Sequence, residues 1–226
     1  MSDLAREPRR VDPIEIRFTV DRIMETPPFP RWAGSTHSGD ELRDEVKSLR
    51  PDLKSVLSPR GMYRAIPRDE SGIDRFDPPV RLLESEMIVP GVLTIGKGVK
   101  NADSVDGLLQ TLVADAMENV ALQMARVCLL TEIKAWATEH GYNTTRVFPP
   151  GTRGDGWDVD NRRFMFETLD TESIDVDLHE GRITEPRKTF TFAMGLGTEI
   201  SQADLLLTCG DCEYVTDCPY VGSRVE

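Results

Sequence analysis

The chain has 226 residues, with 39 acidic side chains against 27 basic ones and a formal net charge of −12. That balance excludes a concentrated basic face, and with it nucleic acid as a partner, because the basic groups near residues 6–10, 162–163 and 187–188 are too scattered to reverse it. No apolar run approaches the ~18 residues that span a bilayer, and residues 1–10 carry no apolar signal core, so the expectation is a soluble, cytoplasmic protein with no membrane partner.

Residues 1–13, polar and punctuated by proline, read as a flexible N-terminal arm. A single α/β domain is expected over residues 14–207, and a cysteine-rich tail over 208–226. Ile14, Ile16, Phe18 and Val20 alternate with Glu15, Arg17 and Thr19, the two-residue period of a half-buried strand. Residues 27–39 read as a loop. A short helix follows with Leu42, Val46 and Leu49 on one face, and Pro51 is expected to end it. Residues 61–66 and 86–95 are strand candidates, the second with a turn or bulge at Pro90-Gly91, and residues 69–79 between them are loop.

The clearest element lies within residues 104–140. Leu108, Leu109, Leu112, Val113, Ala116, Met117, Val120, Ala121, Met124, Cys128 and Ile133 recur at three- and four-residue steps. The pattern predicts one long amphipathic helix, or two in line, with Gly141 placed to terminate it. Cys128 on this stripe reads as a buried, inert thiol, and Trp136 as a packing residue. Beyond a Pro/Gly-rich stretch at residues 146–157, a helix is expected from about Asp158 or Asp160 to Leu169. Strands are expected through Ile174, Val176 and Leu178, and through Phe190, Phe192, Met194 and Leu196. Residues 201–204 look like a capping-box start to a short helix reaching Leu207.

Two stretches carry candidate chemistry. In the Pro/Gly stretch, Arg146 and Arg153 are suited to grip a carboxylate or phosphate in bidentate fashion, and Asp155 to accept from an amine or hydroxyl. A solvated surface connection explains the same composition equally well. The stretch is not a P-loop, for it lacks the terminal Lys-Ser/Thr. At the other site, Cys209, Cys212 and Cys218 fall in a C-x2-C-x5-C spacing that lets the thiols share a metal ion or cluster, or support dithiol exchange. The spacing names no metal. His37, His140 and His179 pair with no recognisable nucleophile, which excludes a hydrolase triad.

The order of motifs is more telling than any one of them. Thr145-Arg146-Val-Phe-Pro149-Pro-Gly151-Thr-Arg-Gly154-Asp155 is followed by a helix and a strand, then by Pro186-Arg-Lys188-Thr-Phe-Thr-Phe-Ala-Met-Gly195-Leu-Gly, then by Cys-x2-Cys and Cys-Pro-Tyr. This order resembles the activation region of vitamin B12-dependent methionine synthase, and more closely the stand-alone bacterial relatives that end in a short cysteine cluster. The resemblance spans residues 60–220 and takes in Val113-Ala-Asp115-Ala-Met on the long helix. It implies an α/β (α+β) fold with a twisted, mainly antiparallel sheet and packed helices.

In the parent enzymes the region binds S-adenosylmethionine and helps remethylate an oxidised corrinoid. The family's loop has the form Arg-x-x-Pro-Gly-Tyr; Arg146 and Pro149 match its start, Gly151 comes one residue late, and Thr152 stands near the place of the tyrosine. Aligned from Asp115, Asn119 stands where the family has a glutamate. The resemblance implies that Arg146 pairs with the S-adenosylmethionine carboxylate, with the loop from Pro149 to Asp155 holding the amine or ribose. It also suggests an iron–sulfur cluster on Cys209, Cys212 and Cys218, or a zinc that pins the tail, with Cys128, Asp211, Asp217, a partner residue or water as the fourth ligand. The expected role is an accessory protein of corrinoid-dependent methyl transfer, aiding methylation or reductive reactivation of a cobalamin-bound corrinoid protein or methyltransferase subunit. The alternative is a non-catalytic module for folate, corrinoid or S-adenosylmethionine, or a redox-complex subunit with a metal-binding tail.

Overall fold

The computed structural model describes residues 7–35, 38–98, 107–152 and 156–203. In chain order its elements are β1 (Arg9–Val11), α1 (Val20–Glu25), α2 (Phe29–Ser35), α3 (Gly39–Val56), β2 (Arg60–Tyr63), β3 (Ile66–Pro67), α4 (Arg68–Ser71), α5 (Val80–Leu83) and β4 (Met87–Thr94). Then come α6 (Leu108–Glu139), β5 (Asn143–Thr144), α7 (Arg163–Thr168), β6 (Asp177–His179), β7 (Ile183–Glu185) and β8 (Thr189–Gly197). One antiparallel sheet has the order β1-β2-β4-β8-β5, with β3 also on β4; β6 and β7 form a separate ribbon. The α/β class with a mainly antiparallel sheet is the one the sequence predicts.

β4 and β8 form the spine, paired from Met87↔Leu196 to Thr94↔Thr189 without interruption. β4 is buried along its whole length, as expected of an apolar run with both faces covered. No bulge forms at Pro90-Gly91. The Pro90 carbonyl accepts from the Arg64 N–H at 3.2 Å, so its missing donor faces the side where the ladder lapses between β2 and β3. Gly91 is needed for a different reason: the Phe192 ring opposite it would lie 2.3 Å from a Cβ there.

Alternation along β8 divides the core in two. Phe192, Met194 and Leu196 face α3 and α6 and pack with Leu42, Val46, Val120 and Met124. Ala193 faces the other way and joins Ile88, Val92, Phe148, Trp157 and Phe164. The single long helix is α6, and Gly141 beyond it takes φ +79°, a left-handed conformation that ends it. Its first turns overhang the sheet, leaving Leu108, Leu109 and Leu112 exposed rather than on a buried stripe.

Several expectations change. Arg9–Val11, placed in the arm by sequence, pairs with β2 as an edge strand, Arg10 opposite Met62. Residues 14–19 are in no ladder. Ile14 and Phe18 are buried, but Phe18 and Thr19 donate to carbonyls two residues back, and Thr19 caps α1 by accepting from the Arg22 N–H at 3.3 Å. Alternating burial here reflects a segment lying on the core. Helix α2 fills part of the expected loop at 27–39.

Helix α3 begins with a capping box between Ser38 and Glu41 and runs through Pro51. Pro51 and Lys47 are exposed, so the carbonyl that proline leaves without a donor is open to solvent, while Leu49 and Leu53 hold the buried face. Ile174 and Val176 are fully buried without forming a strand; Asp175 between them has φ +52°, and pairing starts only at Asp177. The helix expected from about Asp158 is a 3-10 turn over Val159–Arg162 followed by α7. Cys128 is exposed, with its Sγ–H directed at the Glu15 carbonyl 3.6 Å away. It lies beside the N-terminal segment, at the border of the α6 packing faces, and partial burial there raises its thiol pKa. Trp136 packs as expected, with the His140 ring stacked on it. Of the helix expected from Ser201 to Leu207 only residues 201–203 are described, and they are in no helix; the rest lies outside the described residues.

Candidate functional site

The Arg146 loop is built on the outer edge of β8. Asn143 and Thr144 pair with Gly197 and Leu196, and Thr145 donates its N–H to the Gly195 carbonyl at 2.9 Å. The Gly195 N–H in turn donates to Thr145 Oγ1 at 2.8 Å. Phe148 and Ala193 then exchange both backbone bonds, at 2.8 and 3.1 Å. From Thr144 to Phe148 the chain takes four steps against three from Leu196 to Ala193, so this edge carries one extra residue. Such an insertion bends the strand and re-aims a side chain. Gly195 permits the close approach: a Cβ there would meet Ser85 Oγ at 1.8 Å.

Arg146 lies in the displaced stretch. Its guanidinium rests over the Phe148 ring, 4.3 Å from the centroid, and Nη1 donates to the Val147 carbonyl at 3.2 Å. Past it, Thr152 donates to the Pro149 carbonyl at 3.3 Å, and Gly151, at φ +89°, donates to the Trp157 carbonyl at 2.8 Å. Trp157 is buried and its Nε1–H donates to the Phe76 carbonyl at 2.8 Å. Pro149 and Gly151 therefore belong to a closed turn hung on a buried tryptophan, and the amide donors of Gly151 and Thr152 hold the loop's own shape.

Asn119 is placed differently. On α6 its Oδ1 accepts from Lys188 Nζ at 2.7 Å, and its Nδ2 donates to Asp115 Oδ2 at 3.2 Å. Lys188 also donates to Asp115 Oδ1 at 2.7 Å, closing a three-residue cluster between α6 and the entry to β8. Asn119 thus lies on the α6 side of the sheet, whereas Arg146 lies on the ring of Phe148, which packs on the opposite side.

Arg153, Asp155, Cys209, Cys212 and Cys218 lie outside the described residues, as do Asp211 and Asp217. Among the described residues no group of three or more His, Cys, Asp or Glu side chains is placed to hold a metal.

Sequence reasoning passed over Glu118. Among the described residues it is the one charged side chain in the buried class, at 7% exposure. Its carboxylate lies against Gly98, where a Cβ would meet Oε1 at 2.3 Å. A carboxylate among Ala116, Met117, Val120 and Ala121 was the available signal, but the family alignment from Asp115 drew attention to Asn119 next to it.

No protein-family model matches the sequence, and no curated protein matches it. Among solved structures, the crystal structure of the MetH reactivation domain bound to AdoHcy superposes with a TM-score of 0.55 at 13% sequence identity. The match covers 91% of this chain and 83% of that one. The chain has the α/β fold of the MetH reactivation domain.

Proposed function

We propose that the protein is an accessory factor of corrinoid-dependent methyl transfer, binding an S-adenosyl ligand and meeting a cobalamin-carrying corrinoid protein or methyltransferase subunit. The observation that carries this reading is the fold likeness, over 91% of the chain, to a domain solved with AdoHcy. Arg146 supplies the residue-level anchor. An aromatic shelf fixes the plane of its guanidinium, and the extra residue in the loop projects it from the edge of β8. A guanidinium so fixed suits bidentate pairing with a carboxylate. Arg153 and Asp155 would extend the same loop toward the ligand. S-adenosylmethionine, when bound, supplies an activated methyl group; the chain's task is positioning, which needs no histidine. Cys209, Cys212 and Cys218 would hold an iron–sulfur centre for reductive reactivation, or a zinc.

Calorimetric titration with S-adenosylhomocysteine tests the ligand, and gel filtration with a cobalamin-loaded methionine synthase fragment tests the partner. Binding in wild type that falls about tenfold or more in Arg146→Ala supports the reading, given the typical strength of a charge-assisted bond. Absence of heat together with absence of co-elution overturns it. Anaerobic purification with metal analysis addresses the tail: a brown protein containing iron supports reductive reactivation, and a colourless protein without iron removes it.

A second reading, a binding module without catalysis, is favoured by one observation. Asn119, which stands at the family's glutamate position, is engaged with Lys188 and Asp115. Retained S-adenosylhomocysteine binding with no methylation of the partner would select this reading.

A further inference from the structure

Arg126 differs from the other covered cations of the fold. It lies on α6, seven residues after Asn119, and its Nε is buried with no hydrogen-bond partner. The Nε atoms of Arg60, Arg68 and Arg162 are also covered, yet each of those side chains has another polar contact: Arg60 with Asp175 at 2.8 Å, Arg68 with Asp74 at 2.9 Å, and Arg162 with the Arg182 carbonyl. Arg126 has no ion pair or hydrogen bond among the described residues, and its guanidinium lies 5.2 Å from the Phe190 centroid. Phe190 is itself stacked on Phe192, at 5.3 Å and 21°. Arg64 shares the unpaired Nε but rests on no ring. Burial pushes the Arg126 pKa below its ordinary value.

An arginine stays charged in a protein, so it cannot relieve desolvation by losing its proton. Arg126 is half-buried, with Nε shut off from water; holding such a guanidinium without a counter-charge is costly, and the ring beneath it offsets only part of that cost. In a chain with 39 acidic residues, an internal carboxylate would be the simplest remedy, yet among the described residues none is paired with it. The surroundings suggest where a counter-charge would come from. β5 and the Phe148 bridge cover the outer edge of β8 only from Ala193 onward, and toward Thr189 that edge carries no strand among the described residues. Lys188, two residues before Phe190, marks the other end of the same seam, held there by Asp115 and Asn119.

We propose that Arg126 is an oxyanion-binding residue, its guanidinium set on Phe190 to take the carboxylate or phosphate of a small ligand lying along the seam between α6 and β8. The site rests on the S-adenosyl and corrinoid reading only for the ligand's identity. S-adenosylhomocysteine offers one carboxylate, which cannot serve Arg146 and Arg126 at once, and no phosphate; cobalamin offers a phosphodiester and no free carboxylate.

The test is thermal unfolding of the full chain in acetate, phosphate or chloride at equal ionic strength, for wild type and Arg126→Gln. Phosphate strengthens folded states generally, so the quantity read is the difference between the two proteins. The expected result is a rise in Tm with acetate or phosphate that Arg126→Gln abolishes, together with a loss of about tenfold or more in affinity for whichever of S-adenosylhomocysteine and hydroxocobalamin binds. A rise with acetate alone identifies a carboxylate site. Equal shifts in both proteins, or no shift in either, overturn the proposal. If Arg126→Gln does not fold, Arg126→Lys keeps the charge and loses the planar fork; an undiminished anion shift in that variant overturns it equally. If the anions act through Arg126 but neither organic ligand binds wild type and the cobalamin-loaded partner does not co-elute, the site stands and the functional reading falls.

Discussion

Gly91→Ala places one methyl group where the structure leaves no space. The added Cβ would lie 2.3, 2.6 and 2.9 Å from Cζ, Cε1 and Cε2 of Phe192. Carbon atoms pack at about 3.5–4.0 Å, so the ring must move by more than about 1 Å. It has nowhere easy to go, because Phe192 is fully buried and stacked on Phe190. The backbone cannot yield either: Gly91 is paired with Tyr63 on one side and Phe192 on the other. Overpacking costs about 1–3 kcal/mol, and a site held on both sides belongs at the upper end. Replacing glycine also stiffens the unfolded chain, which returns about 0.4–1 kcal/mol.

A net loss of about 2 kcal/mol follows from those two figures, and at about 2–4 °C per kcal/mol for a chain of this size it lowers Tm by about 4–8 °C. Calorimetric or circular-dichroism melts of the variant measure it. In a double-mutant cycle, Phe192→Leu should recover part of the loss, since the two residues share one contact. A Gly91→Ala protein that melts with wild type would show that the ring does not cover this glycine, and the account of the β4–β8 spine would be wrong.

Gly195→Ala should cost about 2–3 kcal/mol by overpacking, because its Cβ would meet Ser85 Oγ at 1.8 Å and Ser85 Cβ at 2.7 Å. It should also weaken any ligand held by Arg146, since Thr145 is tied to Gly195 through two hydrogen bonds; normal stability in denaturant would refute this. Lys188→Met should cost no more than about 1 kcal/mol, less in high salt, as Asp115 is 60% exposed; a larger, salt-insensitive loss would mean that the cluster is not the surface feature described. The Glu86 carboxyl lies below its ordinary pKa because the Thr198 hydroxyl and N–H both donate to it at 2.6 Å. Its contribution to stability is therefore complete above the unfolded carboxylate pKa and is lost as pH falls through the lower folded value. Thr198→Val removes the hydroxyl bond and should bring the Glu86 pKa back toward normal in an NMR titration; an unchanged value refutes the assignment.

The parts of the fold legible in sequence were those whose periodicity matched their burial. Phe190, Phe192, Met194 and Leu196 alternate because β8 is covered differently on its two faces, and the residues from Val113 to Ile133 repeat because α6 lies between the sheet and α3. Periodicity misled where burial came without pairing. Ile14 and Phe18, and likewise Ile174 and Val176, alternate inward on segments that join no ladder: Ile14 makes a lone backbone bond to the Pro59 carbonyl, and Phe18 and Val176 donate locally. Pro51 was misread because a helix tolerates proline on a face where water can take the freed carbonyl. The Pro/Gly signal located the Arg146 loop, but Arg146 and Asn119 are drawn to opposite sides of the sheet by partners that spacing does not reveal. Lys188, which engages Asn119, is 69 residues away in sequence.

What links these positions is β8. Its side chains alternate between faces, so Phe190 carries Arg126 on the α6 side, while Ala193 fixes Phe148, and with it Arg146, on the other. Each guanidinium is set on a phenylalanine ring, which fixes its plane before any ligand arrives and reduces the ordering cost of binding. The two are not redundant. Arg146 belongs to a loop whose shape is held by Gly151 and Trp157, whereas Arg126 belongs to a long helix packed on the sheet. A single ligand engaging both would have to pass around the outer edge of β8, which before Ala193 carries no strand among the described residues. That requirement favours an extended ligand with an anionic group at each end over a compact anion.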